Sequence, residues 1–100
     1  MSVIVLLRLK ADVEQFERYA AENGEKFERI AEDGKSRGAL HHLFAAGDGE
    51  ILVVDEWPDA QSFQDFFGSQ TEIPELMAGA GAQGEPEISV FRTLDTPDRF

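Results

Sequence analysis

The first apolar run, Val3-Ile4-Val5-Leu6-Leu7-Arg8-Leu9, is short, β-branched at its start and apolar on both alternating faces. That pattern predicts a central strand covered on both sides. From Asp12 the period changes. Val13, Phe16, Ala20, Phe27 and Ile30 recur at helical spacing and predict one buried stripe. Asp12 can accept from the free amides of the first turn, with Gln15 three residues on, as in a capping box. Glu14–Arg18, Glu22–Lys26 and Glu25–Arg29 are acid-first i,i+4 pairs, each contributing about 0.3 kcal/mol on a solvated face. Asn23-Gly24 predicts a weak point or a bend in this helix, and Gly34 its end.

Two further strands are predicted, Ala39 to Ala46 and Ile51 to Trp57, joined through Gly47-Asp48-Gly49-Glu50. An Asp-Gly pair between apolar runs is a hairpin signal, because the turn needs positive φ. With Asp48-Gly49 as the two-residue loop, the register sets Phe44 opposite Val53, His42 opposite Asp55, His41 opposite Glu56 and Leu40 opposite Trp57. Pro58-Asp59 ends the strand, and Asp59 can cap a helix carrying Phe63, Phe66 and Phe67. Gly68-Ser69 interrupts it. A shorter helix with Ile73, Leu76 and Met77 follows, with Pro74 tolerated in its first turn. Gly79 to Pro86 is expected to be a glycine-rich loop. Glu87 to Leu94 alternates Ile88, Val90 and Arg92 against Ser89, Phe91 and Thr93, a fourth strand.

The order β-α-β-β-α-β is the α+β, ferredoxin-like arrangement: a four-stranded antiparallel sheet with its helices on one face. The sheet's second face is also apolar, as Leu43, Leu52 and Val54 indicate. Uncovered, it would form a patch of roughly several hundred Å², which soluble monomers avoid. A symmetric homodimer burying sheet against sheet is the simplest remedy.

Composition narrows the function classes. One hundred residues make one domain, residues 1–100, and 42% hydrophobic with 10% aromatic residues is a globular composition. The chain has no cysteine, which excludes disulfides, thiol catalysis and Cys-ligated metal. Twenty acidic residues against nine basic give a net charge of −11, which disfavours nucleic acid and anionic membranes as partners. No stretch approaches the ~20 apolar residues of a membrane span, and Met1-Ser2-Val3-Ile4 lacks a basic leader, so a soluble cytoplasmic protein is expected.

The stretch Val54-Asp55-Glu56-Trp57, followed by Pro58-Asp59-Ala60-Gln61-Ser62-Phe63, resembles the "E-W, acidic turn, helix with an aromatic" signature of antibiotic-biosynthesis-monooxygenase-type proteins. The order of elements across residues 3–94 is similar too. The resemblance implies a ferredoxin-like subunit and a homodimeric α/β barrel. Its members include cofactor-free oxygenases acting on aromatic polyketides and haem-degrading enzymes. The haem-degrading branch carries a ligating histidine on the second helix; Glu75-Leu76-Met77-Ala78 has none at that place. No cofactor is expected.

The candidate chemistry lies in few residues. His41 and His42 point to opposite faces of their strand and cannot share a metal ion, and there is no third histidine, so no metal site is expected. His42 paired with Asp55, with Trp57 two residues along the same face, suits a general base: the carboxylate fixes the imidazole's tautomer and the ring takes a phenolic or carbon-bound proton. The same pair also suits a plain structural ion pair, and His41–Glu56 repeats the arrangement on the other face. Trp57, Phe44, Phe63, Phe66, Phe67, Phe91 and Met77 are candidates to line an apolar substrate pocket, or to be simply core. Gly79-Ala80-Gly81-Ala82-Gln83-Gly84 matches G-x-G-x-x-G, but a helix precedes it and a strand follows, the reverse of a dinucleotide site. It is expected to be a flexible connection acting as a lid. Arg8 and Arg92 are expected on adjacent central strands, paired with acids or holding a ligand anion.

The function expected is cofactor-free oxidation of an aromatic small molecule. The alternative is a non-enzymatic module that binds a small apolar ligand or dimerises.

Overall fold

The structure, a computed structural model, describes residues 1–100. Its elements are β1 (Val3–Lys10), α1 (Val13–Glu22), α2 (Gly24–Ser36), β2 (His41–Gly47), β3 (Glu50–Trp57), α3 (Ala60–Ser69), α4 (Ile73–Gly79) and β4 (Gln83–Arg92). The four strands form one antiparallel sheet in the order β2-β3-β1-β4. This is the ferredoxin-like topology, with each expected helix present as a consecutive pair.

The first break falls at Asn23. Its backbone N–H and its side-chain amide both donate to Tyr19 O at 2.9 Å, which closes α1. The Asn23 carbonyl then accepts from Lys26 and Phe27 and starts α2. Asp12 and Asp59 cap α1 and α3 through the amides of Gln15 and Ser62, at 3.1 and 2.7 Å. Gly34 does not end α2. It is buried inside the helix, where the position a Cβ would take lies 3.5 Å from the Phe66 ring.

The hairpin β2–β3 holds the expected register, Gly47↔Glu50 through His42↔Asp55 to His41↔Glu56. Its turn differs from the expected one in detail. Gly49 alone takes positive φ (+70°), since no non-glycine residue does. The fourth strand starts earlier than expected, at Gln83, so the second half of the glycine-rich segment is strand and not loop. Nor does the first half form a lid. Gln15 Nε2 donates to Gly79 O at 3.2 Å, and the segment lies so close to α1 that a Cβ on Gly79 would overlap the Tyr19 ring. Arg92 also moves: β4 is adjacent to β1, as expected, but it is an edge strand.

All four helices pack on the face presented by Val5, Leu7, Leu9, Ile51 and Trp57. The buried core is divided. Val5, Trp57, Phe63 and Phe66 form one cluster, and Ala11, Phe16, Ile51 and Ala80 another. The opposite face carries Ile4, Leu6, Leu43, Leu52, Val54 and Phe91 by strand alternation. Leu43 and Phe91 there are 53% and 54% exposed. Arg8, at the edge of that face, pairs with Glu50 at 2.9 Å, which raises its pKa further.

At the other end of the open face, Glu56 gathers the chain ends. It accepts from Ser2 Oγ at 2.6 Å, pairs with His41 Nδ1 at 2.8 Å and with Arg99 at 3.4 Å. The hydroxyl bond first, and His41 second, hold its carboxyl below the ordinary value of 4.5. A carboxylate with a depressed folded-state pKa stabilises the fold fully above its unfolded pKa, and this is lost as pH falls through the lowered value. Acid titration of stability should therefore show wild type ahead of Glu56→Gln at neutral pH, with the gap closing below about pH 4.5. A gap independent of pH would refute this role.

The Gly79–Tyr19 approach makes a second prediction. Gly79→Ala should destabilise by about 1–3 kcal/mol, as overpacking does, and lower Tm by several degrees in a thermal melt. An unchanged Tm would mean that α4 does not dock on Tyr19.

Candidate functional site

The divided core leaves a cavity of about 540 Å³ between sheet and helices. Its wall is mostly apolar: Val5, Leu7 and Leu9 of β1, Ile51, Val53 and Trp57 of β3, and side chains from each helix. Of the aromatic candidates, Phe44, Trp57, Phe63, Phe66 and Phe67 line it, together with Met77. Trp57 is 1% exposed and sits 5.2 Å, centroid to centroid, from Phe66 and 6.0 Å from Phe63.

Phe91 does not line the cavity. The register pairs Ile4 with Phe91 and Val5 with Val90, so Phe91 belongs to the open face and Val90 to the helix side. The alternation within this strand is plain in the sequence, but not which of its two sets turns toward the helices.

Only one titratable side chain is buried, and it is in this wall. Asp55 is 8% exposed. Its Oδ1 lies 2.6 Å from His42 Nδ1, and its Oδ2 accepts from the Trp57 indole N–H at 3.2 Å. Both oxygens are therefore used, as a buried carboxylate requires. The carboxylate accepts from Nδ1–H, which leaves the Nε2 lone pair of His42 uncommitted within the protein. His42 also lines the cavity, with its side chain 39% exposed and its ring edge-on to Phe44 at 5.1 Å.

The arrangement follows from local sequence. Asp55 and Trp57 are two apart on β3 and so share a face. The tight Asp48-Gly49 turn then fixes which β2 residue lies over Asp55. His41, one residue away, borders the cavity's rim but sends its side chain to the open face against Glu56, where it is 79% exposed.

Three wall residues escape the sequence pattern: Glu28, Ala31 and Lys35, all on α2. They form a row at i, i+3 and i+7 beside the apolar stripe. That row is a signal of a second helix face bordering the cavity, masked by the two exposed charged residues at its ends.

Solved structures share this fold. SnoaB, described as a cofactor-independent oxygenase from Streptomyces nogalater, superposes with a TM-score of 0.64 over 98% of both chains at 17% identity. A monooxygenase from ActVA-Orf6 of Streptomyces coelicolor, in complex with nanaomycin D, has a TM-score of 0.69 at 18% identity, covering 97% of this chain and 93% of that one. A dimeric ferredoxin-like protein from an uncultured marine organism has a TM-score of 0.70 at 11% identity, over 99% and 93%. No family model and no curated protein sequence matches the chain. The fold is thus that of solved antibiotic-biosynthesis monooxygenases, the group that residues 54–63 resemble.

Proposed function

We propose that this protein is a homodimeric α/β-barrel oxygenase that oxidises an aromatic small molecule without a cofactor, with His42 as general base. The observation that carries the reading is the buried Asp55 holding His42 at 2.6 Å in the wall of an apolar cavity. Such cavities, with a few placed polar groups, suit aromatic ligands. A base in hydrogen-bond reach of a bound phenol, on an apolar wall, is what proton abstraction needs.

The chemistry balances with dioxygen as the sole oxidant. His42 Nε2 takes a proton from a hydroxyaromatic, and the resulting carbanion or phenolate passes electrons to O₂. One oxygen forms a bond to the ring carbon; loss of that carbon's remaining proton forms the C=O and breaks the O–O bond, and the second oxygen leaves as water with this proton and the one held by His42. A ring CH₂ thereby becomes C=O. Asp55 stabilises the transient imidazolium, and Trp57, Phe44, Phe63, Phe66, Phe67 and Met77 hold the ring system.

A dihydroxyanthrone is a direct probe, because its CH₂ is activated by the flanking rings. Wild type should consume one O₂ per quinone formed. His42→Ala and Asp55→Asn should lower kcat by roughly 10²–10⁴-fold while still binding nanaomycin D, the ligand of the Streptomyces coelicolor protein, as followed by quenching of Trp57. Ligand binding with no O₂ uptake by wild type on such substrates would replace the oxygenase with a ligand-binding module.

The apolar open face supports the dimer. Leu43, Leu52, Val54, Ile4, Leu6 and Phe91 would be covered by the same face of a second copy, isologously. Sedimentation should give twice the chain mass of 11.1 kDa, and Leu43→Asp with Leu52→Asp should give the single mass. A monomeric wild type would overturn it.

A further inference from the structure

The cavity wall has an uneven exposure. Among its lining residues, those that are exposed are Glu28, Lys35, Leu40, His41, His42 and Phe44. All six belong to α2, β2 or the turn between them. The wall residues from β1, β3, α1, α3 and α4 are buried or half-buried. Solvent therefore meets this cavity where α2 runs beside β2.

The opening has two closed ends. At one end Phe27 of α2 meets Phe44 of β2, ring to ring at 5.7 Å. At the other, Ala39 N–H donates to Gly34 O at 3.0 Å, and the Ala39 methyl lies 3.9 Å from where a Gly34 Cβ would be. The span from Phe27 to Gly34 is seven residues, about 10 Å of helix axis at 1.5 Å per residue. Between these ends α2 presents Ala31 and β2 presents His42. Ala31 is the smallest side chain of its row, and Glu28 and Lys35 lie on either side of it.

The exposed lining between these two packed ends makes a slot about 10 Å long. We propose that ligands enter through this slot between α2 and β2, past His42, and that the absence of side chain beyond Cβ at Ala31 sets the size of what can pass. Ala31 is thus a specificity-determining residue for the cavity. The proposal rests on the cavity and not on any reaction at His42, so its test reads binding alone.

The competing route lies under α4, whose Ile73, Leu76 and Met77 close another side of the cavity. That helix is tied to α2 by two ion pairs, Arg29–Glu72 at 2.9 Å and Lys26–Glu75 at 3.2 Å. Lys26 is also bonded to the Tyr19 hydroxyl at 3.2 Å. These ties hold α4 against α2.

The probe is N-phenyl-1-naphthylamine, a neutral aromatic whose fluorescence rises in apolar surroundings, followed by stopped flow. Ala31→Leu should slow its association at least tenfold. The chain has no cysteine, so Ala31→Cys can be folded first and then capped with N-ethylmaleimide. Capping should slow association tenfold or more in the same folded sample. The double variant Glu72→Gln, Glu75→Gln, which loosens α4, should associate at the wild-type rate. Unchanged association after capping, acceleration in the double variant, or no probe binding to wild type would each overturn the proposal. Failure of dihydroxyanthrone oxidation with gating intact would leave it standing and remove only the oxygenase reading.

Discussion

A carboxylate taken out of water must find partners for both oxygens, and in this molecule much else follows from how Asp55 does so. Burying it without partners would cost several kcal/mol. Its two partners come from different directions: the indole of Trp57 on the same strand and the imidazole of His42 on the neighbour. The first holds the Trp57 ring in the larger core cluster with Val5, Phe63 and Phe66. The second pins β2 to β3 in one register. A slip of one residue would put His41 over Asp55 and turn His42, Phe44 and the whole apolar set to the other face. The His42–Asp55 hydrogen bond and the hydrophobic pattern therefore specify the same pairing, and this agreement across levels is what makes a register unique.

The cavity is a consequence of how few residues can be buried in a chain of this length. A 100-residue domain buries roughly two-thirds of its unfolded surface, and here that burial is divided between two clusters rather than gathered in one. One lies toward Trp57 and α3, the other toward Phe16 and the α1 face of Ile51. The space between sheet and helices is lined by apolar side chains of both clusters. An apolar void of this kind loses dispersion contacts. The frame around it consists of the capped helices α1 and α3, a continuous four-stranded sheet, and ion pairs between α4 and α2.

Much of this was legible in the sequence because the relevant signals are local. The strand alternation, the Asp12 and Asp59 caps and the Asp48-Gly49 turn each depend on a few neighbouring residues, and together they set the topology and brought His42 to Asp55. What was not legible depends on long-range packing. Gly34 looks like a helix end by propensity, yet it continues α2 and is buried there, its Cβ position at ordinary contact distance, 3.5 Å, from the Phe66 ring of α3. The glycine-rich segment looks like a free loop, yet its glycines permit close approach to Tyr19 and Gln15. Phe91 alternates properly within its own strand. Only its pairing with Ile4 shows that it faces away from the cavity. The row Glu28, Ala31, Lys35 was hidden because a helix face flanked by charge reads as solvated, whatever lies across from it.

The position of β2 at the sheet edge ties these features to function. A general base must be dry enough for its partner to act strongly and open enough for a substrate to arrive. On a central strand such as β1 or β3, a histidine on the helix side would be covered, as Val5, Leu7 and Trp57 are. On the edge strand, the helix layer ends before it covers the side chain completely. Asp55, one strand inward, is buried, and His42, on the edge, is 39% exposed. The pair thus spans the boundary between interior and mouth. The interior carboxylate holds a ring whose far nitrogen has no partner within the protein, and the edge position provides the access that the proposed general base needs.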